Sequence, residues 1–196
     1  KLALQKILEL LEQYHFIAVG HRVVHGGREY SEAVRVDEHV LDEVKRLKIL
    51  APLHNPAHAL GIEAVQAIYP EIPQVVVFDT AFHQTMPPVA FRYPVPKALY
   101  EEHKIRRYGF HGTSHAYVSE RASEITQTKG PHVWLAAHLG KGCSATAFYD
   151  GKRLDTSMGL VSLDGLLMGS RSGDGASSWH ITITPHPDIT LDTIAT

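Results

Sequence analysis

The sequence predicts an α/β fold from three features. Val75-Val76-Val77-Phe78 is an apolar, β-branched run of strand length, as in a strand buried on both faces. Around it lie segments whose apolar residues recur at helical spacing, such as Val40, Leu41, Val44 and Leu47. The strand-like runs empty into polar, glycine-bearing turns, the place where open α/β sheets hold ligands. At 196 residues the chain is long enough to bury a substantial core, in one domain or two small ones. Its formal charge of -2 gives no electrostatic footprint for nucleic acid or an anionic membrane, and no apolar window is long enough for a bilayer, so a soluble protein is expected. Cys143 is the only cysteine, which excludes an intrachain disulfide and suits a reducing compartment such as the cytoplasm.

In order, Leu4, Ile7, Leu8 and Leu11 predict an amphipathic helix to about Tyr14. The chain begins at Lys1 without a methionine, so the expectation is that its true N-terminus is missing. Phe16 to Val19 reads as a short buried strand leading into Gly20-His21-Arg22-Val23-Val24-His25-Gly26-Gly27, where Arg22 either binds an anion with its planar fork or lies on the surface of a tight turn. Asp37 is a candidate N-cap for a second helix, and Asn55-Pro56 a cap and first-turn pair for a third, running to about Tyr69. His54 then sits in the loop before a helix N-terminus, whose free amides favour phosphate. Bonding a loop carbonyl is its plainer role.

The strand Gln74–Phe78 ends at Asp79-Thr80-Ala81-Phe82-His83. Asp79 is either a ligand-facing carboxylate or the cap of the following turn. The prolines from Pro87 to Pro96 predict an irregular, extended loop and a domain boundary, and Lys97 to His103 a short helix. Arg106 to His115 crowds arginines, aromatics and histidines ahead of a helix starting near Ser114. A strand from His132 to Ala137 leads into His138-Leu139-Gly140-Lys141-Gly142-Cys143-Ser144, a glycine-flanked turn that offers amides to a phosphate, and Asp150-Gly151 predicts a hairpin. Arg171 is bracketed by glycines and hydroxyls. Three histidine pairs have four-residue spacing (His21 with His25, His54 with His58, His111 with His115), but none lies in a good helix interior, and no metal site is assigned. From Gly175 onward no regular structure is predicted.

Taken together, GHRVVHGG (20–27), APLHNPAH (51–58), VFDTAFHQTMP (77–87), RRYGFHGTSH (106–115), HLGKGCS (138–144), DTSMG (155–159) and MGSRSGD (168–174) resemble the acetate kinase family of short-chain carboxylate kinases, over about residues 15 to 174. The resemblance implies an actin-like (ribonuclease H-like) acetate and sugar kinase fold, incomplete at both ends. Residues 1–86 would end the substrate-side domain, 87–174 begin the nucleotide domain, and 175–196 form a divergent tail such as a frameshift or premature end produces. It implies transfer of phosphoryl from ATP, with Mg²⁺, to acetate, propionate or butyrate, and a homodimer in intact members. By resemblance Asp79, Arg22, Arg171, His54 and His111 are catalytic. Arg22, Val24, Leu53 and Phe110 hold the substrate, and His138, Leu139, Gly140, Lys141 and Gly142 the nucleotide phosphates. Two departures stand out: Lys141 replaces an asparagine, and Ser162 a pocket proline. The rival expectations are an inactive, associating product and a metal-dependent hydrolase.

Overall fold

In a computed structural model the described residues are 6–175 apart from 8, 9 and 12. They form two three-stranded sheets with helices packed between and against them. The expected opening helix lies largely outside the described residues, although Lys6, Ile7 and Leu10 are helical. The tail from residue 176 lies outside them altogether.

The first sheet contains β1 (Val19–Val23), β2 (Val34–Arg35) and β3 (Gln74–Phe78), with β3 in the middle. β1 runs parallel to β3, from Val19 opposite Gln74 to Val23 opposite Phe78, while β2 is antiparallel. Pairing with β3 moves β1 later than the apolar run Phe16–Val19 suggested, and so carries Arg22 on a strand rather than in a turn. β3 is not buried on both faces: Gln74, Val76 and Phe78 are buried, while Val75 and Val77 are only partly covered. Helix α1 (Glu38–Arg46) begins where Asp37 accepts a hydrogen bond from the Val40 amide at 2.8 Å, as its cap position predicts. Helix α2 (Asn55–Ile68) is capped instead by His54. Asn55 turns inward, fully buried, accepting from His25 N–H and donating to the carbonyls of His25 and Val44. That amide fastens the Arg22 loop to both helices. Val23, Val40, Leu41, Val44, Ile62, Val76 and Phe78 close the core between sheet and helices.

The proline stretch is more regular than expected, because Pro87-Pro88 starts a one-turn helix, α3 (Pro88–Phe91), where a missing amide costs nothing. Helix α4 (Lys97–Glu101) follows. Leu47 and Leu50 then pack with Leu99, Ile105, Tyr108 and Leu160 in a second core that joins residues on both sides of the boundary expected near Met86.

Helix α5 (Gly112–Thr126) begins two residues before Ser114, with His111 as its cap at φ +57. The second sheet is an antiparallel meander of β4 (Val133–Leu139), β5 (Cys143–Tyr149) and β6 (Lys152–Thr156). Asp150 (φ +48) and Gly151 (φ +72) make the expected tight hairpin. On the inner face the register sets His138 opposite Ser144, and Thr146 next to both Ala136 and Thr156. The outer face presents Val133, Leu135 and Leu139, all exposed. Among the described residues no helix is long and apolar enough to cross a membrane.

Candidate active site

Asp79 stands at the end of β3, its side chain 2% exposed. Arg22, on the neighbouring strand β1, reaches across and donates Nε–H to Oδ1 at 2.8 Å and Nη2–H to Oδ2 at 2.7 Å. The parallel register puts the two strands side by side, and the fork matches both carboxylate oxygens. This bond is the main reason the Arg22 guanidinium holds its proton above the ordinary range. The Arg22 side chain nevertheless remains 59% exposed. Asp79 is therefore a strut that aims a cation outward, and the partner of its side chain is Arg22 rather than an amide of the following turn.

Gly112 links this strand end to α5. Its N–H donates to the Asp79 carbonyl at 2.9 Å, and a Cβ there would overlap that oxygen and lie 2.8 Å from Phe82 Cβ. Only glycine lets the helix start so close to the strand. His111, the residue before it, turns its ring inward: Nδ1 is 2.9 Å from Ser144 Oγ, and the ring stacks on His138 at 4.0 Å between centroids. His138 is held in turn by Ser114 Oγ at 2.9 Å from Nδ1. Burial, helped by His138, pushes the His111 imidazole down to about 4. His115, one turn along α5, contacts the same Ser144 Oγ through Nε2 at 2.8 Å and is pushed to about 4 for the same first reason. The second and third histidine pairs thus sit at helix starts, and His111 and His115 meet through a serine. Among the described residues no group of three or more His, Cys, Asp or Glu is placed to hold a metal ion.

Arg171 is fixed by Nε–H donating to the Ser162 carbonyl at 2.7 Å and Nη1–H to Ser170 Oγ at 3.1 Å. Its Nη2 lies 2.8 Å from where a Gly142 Cβ would be, and His111 Cε1 is 3.6 Å from the same point. Gly142 thus leaves room for the guanidinium beneath the turn. Lys141 and Gly169 tie this turn to the Arg171 loop, since Gly169 N–H donates to the Lys141 carbonyl at 3.1 Å. Leu139 is 79% exposed on the outer sheet face, so within this turn its side chain does not join the others.

A cavity of about 50 Å³ opens beside these groups, lined by Val24, Leu53, His54, Phe110, Val161 and Ser162 among others. Leu53 forms its rim, 78% exposed, and Phe110 its buried wall. His54 lies between cavity and charges, and its imidazole is held low first by burial and then by the Arg171 cation. Of the site residues anticipated from sequence, Val24, Leu53, His54 and Phe110 line the cavity, Arg22 is held by Asp79, and His111, His138, Gly142 and Arg171 meet at the turn, while Leu139 faces outward and Gly140 and Lys141 stay within the turn and its tie to Gly169. The groups the sequence left unassigned are Ser144, Ser114 and His115. Their signals were membership of the glycine-flanked turn for Ser144, of the segment that opens α5 for Ser114 and His115, and the four-residue spacing from His111 for His115.

The fold and this cleft define a class. The structure resembles a propionate kinase from Francisella tularensis subsp. tularensis SCHU S4 with a TM-score of 0.85 and 48% identity, over 97% of this chain and 50% of that one. It carries about half of the acetate and sugar kinase fold. A sequence model of the acetokinase family matches residues 1–195, and the chain belongs to that family. It is 55% identical over 163 residues to an acetate kinase of Pseudomonas aeruginosa (strain LESB58), covering 83% of this chain and 41% of that protein. It is also 55% identical over 178 residues to an acetate kinase of Deinococcus radiodurans (strain ATCC 13939), covering 90% and 45%. The chain thus spans less than half the length of these two curated relatives.

Proposed function

We propose that the cleft serves phosphoryl transfer between ATP and a short-chain carboxylate, acetate or propionate, giving an acyl phosphate and ADP reversibly. The observation that carries this reading is a small apolar cavity lined by Val24, two residues along from Arg22, and by Ser162, whose carbonyl fixes Arg171. A carboxylate whose short tail enters the cavity leaves its charged end among Arg22, Arg171, His54 and His111. A carboxylate oxygen attacks the γ-phosphorus while the bond to the bridging oxygen breaks toward ADP. Because the acid is already ionised near neutral pH, no base has to remove a proton. Catalysis then rests on position and charge. Arg22, braced by Asp79, and Arg171, braced by Ser162 and Ser170, offer cations that need no rearrangement. His54 and His111, kept neutral by burial, are hydrogen-bond donors rather than further charges.

The turn His138–Gly142 is the candidate seat of the nucleotide phosphates, with Lys141 adding a cation. In this reading residues 1–86 and 87–174 meet around the carboxylate, and 87–174 carries the turn for the nucleotide phosphates. Mg²⁺ belongs to the proposal only as the counter-ion of ATP. Asp79, whose oxygens each accept one hydrogen bond from Arg22 and keep a further lone pair, is the carboxylate of this cleft that would orient the ion or its waters.

The test is acyl phosphate formation, trapped as the hydroxamate, by the purified chain with Mg-ATP and acetate, propionate or butyrate. Arg22→Ala is expected to lower kcat about 10²- to 10³-fold, the usual loss for one transition-state donor. Equal rates for Arg22→Ala and the parent would overturn the assignment. A second reading is favoured by the bare outer face of β4: a catalytically silent chain that associates through that face. No turnover by a folded chain, with self-association in sedimentation, would select it.

A further inference from the structure

We infer that Ser144 is a positioning residue whose hydroxyl fixes the tautomer of His111, so that His111 turns an Nε2–H, and not a lone pair, toward the cleft. Its catalytic consequence rests on the kinase reading above, whereas the tautomer does not.

Ser144 is fully buried on the inner face of β5, and its oxygen lies within hydrogen-bond distance of His111 Nδ1 and His115 Nε2. Near neutral pH both rings are uncharged, so each carries one N–H and one lone pair. The hydroxyl has one proton to give and lone pairs to receive. Three arrangements satisfy both contacts. In the first, Ser144 donates to His111 Nδ1 and accepts from His115 Nε2–H. In the second the directions are reversed. In the third both rings donate to Ser144, which leaves its own proton without an acceptor in a fully buried place, a costly outcome. The first arrangement puts both rings in the Nε2–H form that a free neutral histidine side chain prefers. The second puts both in the minor Nδ1–H form. The first therefore wins on two counts over the third and on both rings over the second.

What it exposes matters for the site. His111 Nε2 makes no hydrogen bond among the described residues and is not sealed from solvent. The neighbouring Cε1 faces the Gly142 turn and the Arg171 guanidinium. An N–H there donates to an anionic oxygen, whereas a lone pair would repel it. The stack on His138 holds the ring plane, and Ser144 decides which edge carries the proton.

The test reads the tautomer directly. In the full chain labelled with ¹⁵N, long-range proton–nitrogen correlations of the histidine rings at pH 7, assigned with a His111→Gln chain, are expected to show His111 Nδ1 unprotonated and Nε2 protonated. Ser144→Ala should move both nitrogens toward averaged values, and Ser144→Thr should restore the parent pattern. A protonated Nδ1 in the parent chain overturns the inference by itself, even if the alanine chain fails to fold. An unchanged His111 pattern in a folded Ser144→Ala chain overturns it equally. If the chain turns over, Ser144→Ala should lower kcat about tenfold with KM for the carboxylate unchanged, and threonine should recover most of it. A chain with no turnover but the expected spectrum defeats the kinase reading and leaves this inference standing.

Discussion

The two sheets have three strands each, and both deliver residues to the cleft, yet they are built in opposite ways. The mixed sheet, β1 to β3, is packed by α1 and α2, and it contributes through a strand end, where Asp79 and Arg22 emerge. The meander, β4 to β6, contributes through a face. His138 and Ser144 point inward beneath α5, while Leu135 and Leu139 on the other side are 75% and 79% exposed. The charged half of the site therefore sits where water still reaches the guanidinium, and the imidazole half sits where burial keeps His111 and His115 neutral. A strand end suits ions that must meet an anion, and a covered face suits donors that must stay uncharged.

Acid should strike hardest, and on the sealed side. His25, behind β1, and His83, just after β3, have no exposed surface, and burial pushes each imidazole down to about 3. Gly27 N–H donates to His25 Nδ1, a bond that a proton there would break, and His83 Nδ1, where its second proton would go, is buried without a partner. In the unfolded chain both would titrate near 6.5. A base whose folded value is depressed gives full stability above the unfolded value, and that stability falls as pH drops from about 6.5 toward about 3. Between pH 7 and pH 5 each ring should cost about 2 kcal/mol, about 4 kcal/mol together. Urea midpoints at the two pH values measure this. A midpoint that does not move would mean that the rings can be charged inside the fold, and the contrast between the two halves would fail.

The seam between the halves comes next. Gly112→Ala drives a methyl group into the Asp79 carbonyl and against Phe82, where backbone rather than a flexible side chain must yield. A loss of about 3 kcal/mol is expected, at the upper end for overpacking, because the Gly112–Asp79 hydrogen bond must lengthen too. Chemical denaturation checks it. A loss under about 1 kcal/mol would show that α5 can slide away from β3, and that the two halves are coupled loosely.

How much of this was legible in the sequence follows the same division. What depends on neighbours in the chain was readable: β3 and its terminal Asp79, the Asp37 cap, the Asp150-Gly151 hairpin and the core stripe of α1. What depends on distant partners was not. β1 slid beyond its apolar run because its register is set by β3, more than fifty residues away. Asn55 was read as a cap from its place before Pro56, but carbonyls of His25 and Val44 give its amide better partners inside. The cleft residues were found as a set only through several motifs in family order. Ser144 escaped because a serine in a strand has no local mark, and its meaning comes from two histidines brought over it by α5.

The smallest effect expected is on the bare face. Leu135→Lys replaces an apolar side chain that the described residues leave in water, so stability should change by less than about 0.5 kcal/mol. A leucine in a close-packed core would cost several times that amount even when shortened to alanine. The informative case is a larger loss. If Leu135→Lys destabilised the chain by 2 kcal/mol or more, and the loss grew with protein concentration, then something covers β4 in solution, and a second copy of the chain is the simplest cover. The outer face of the meander would then be sealed by association, whereas the mixed sheet is packed by helices of its own chain. Equilibrium denaturation of the parent and the lysine chain at two protein concentrations decides between these states.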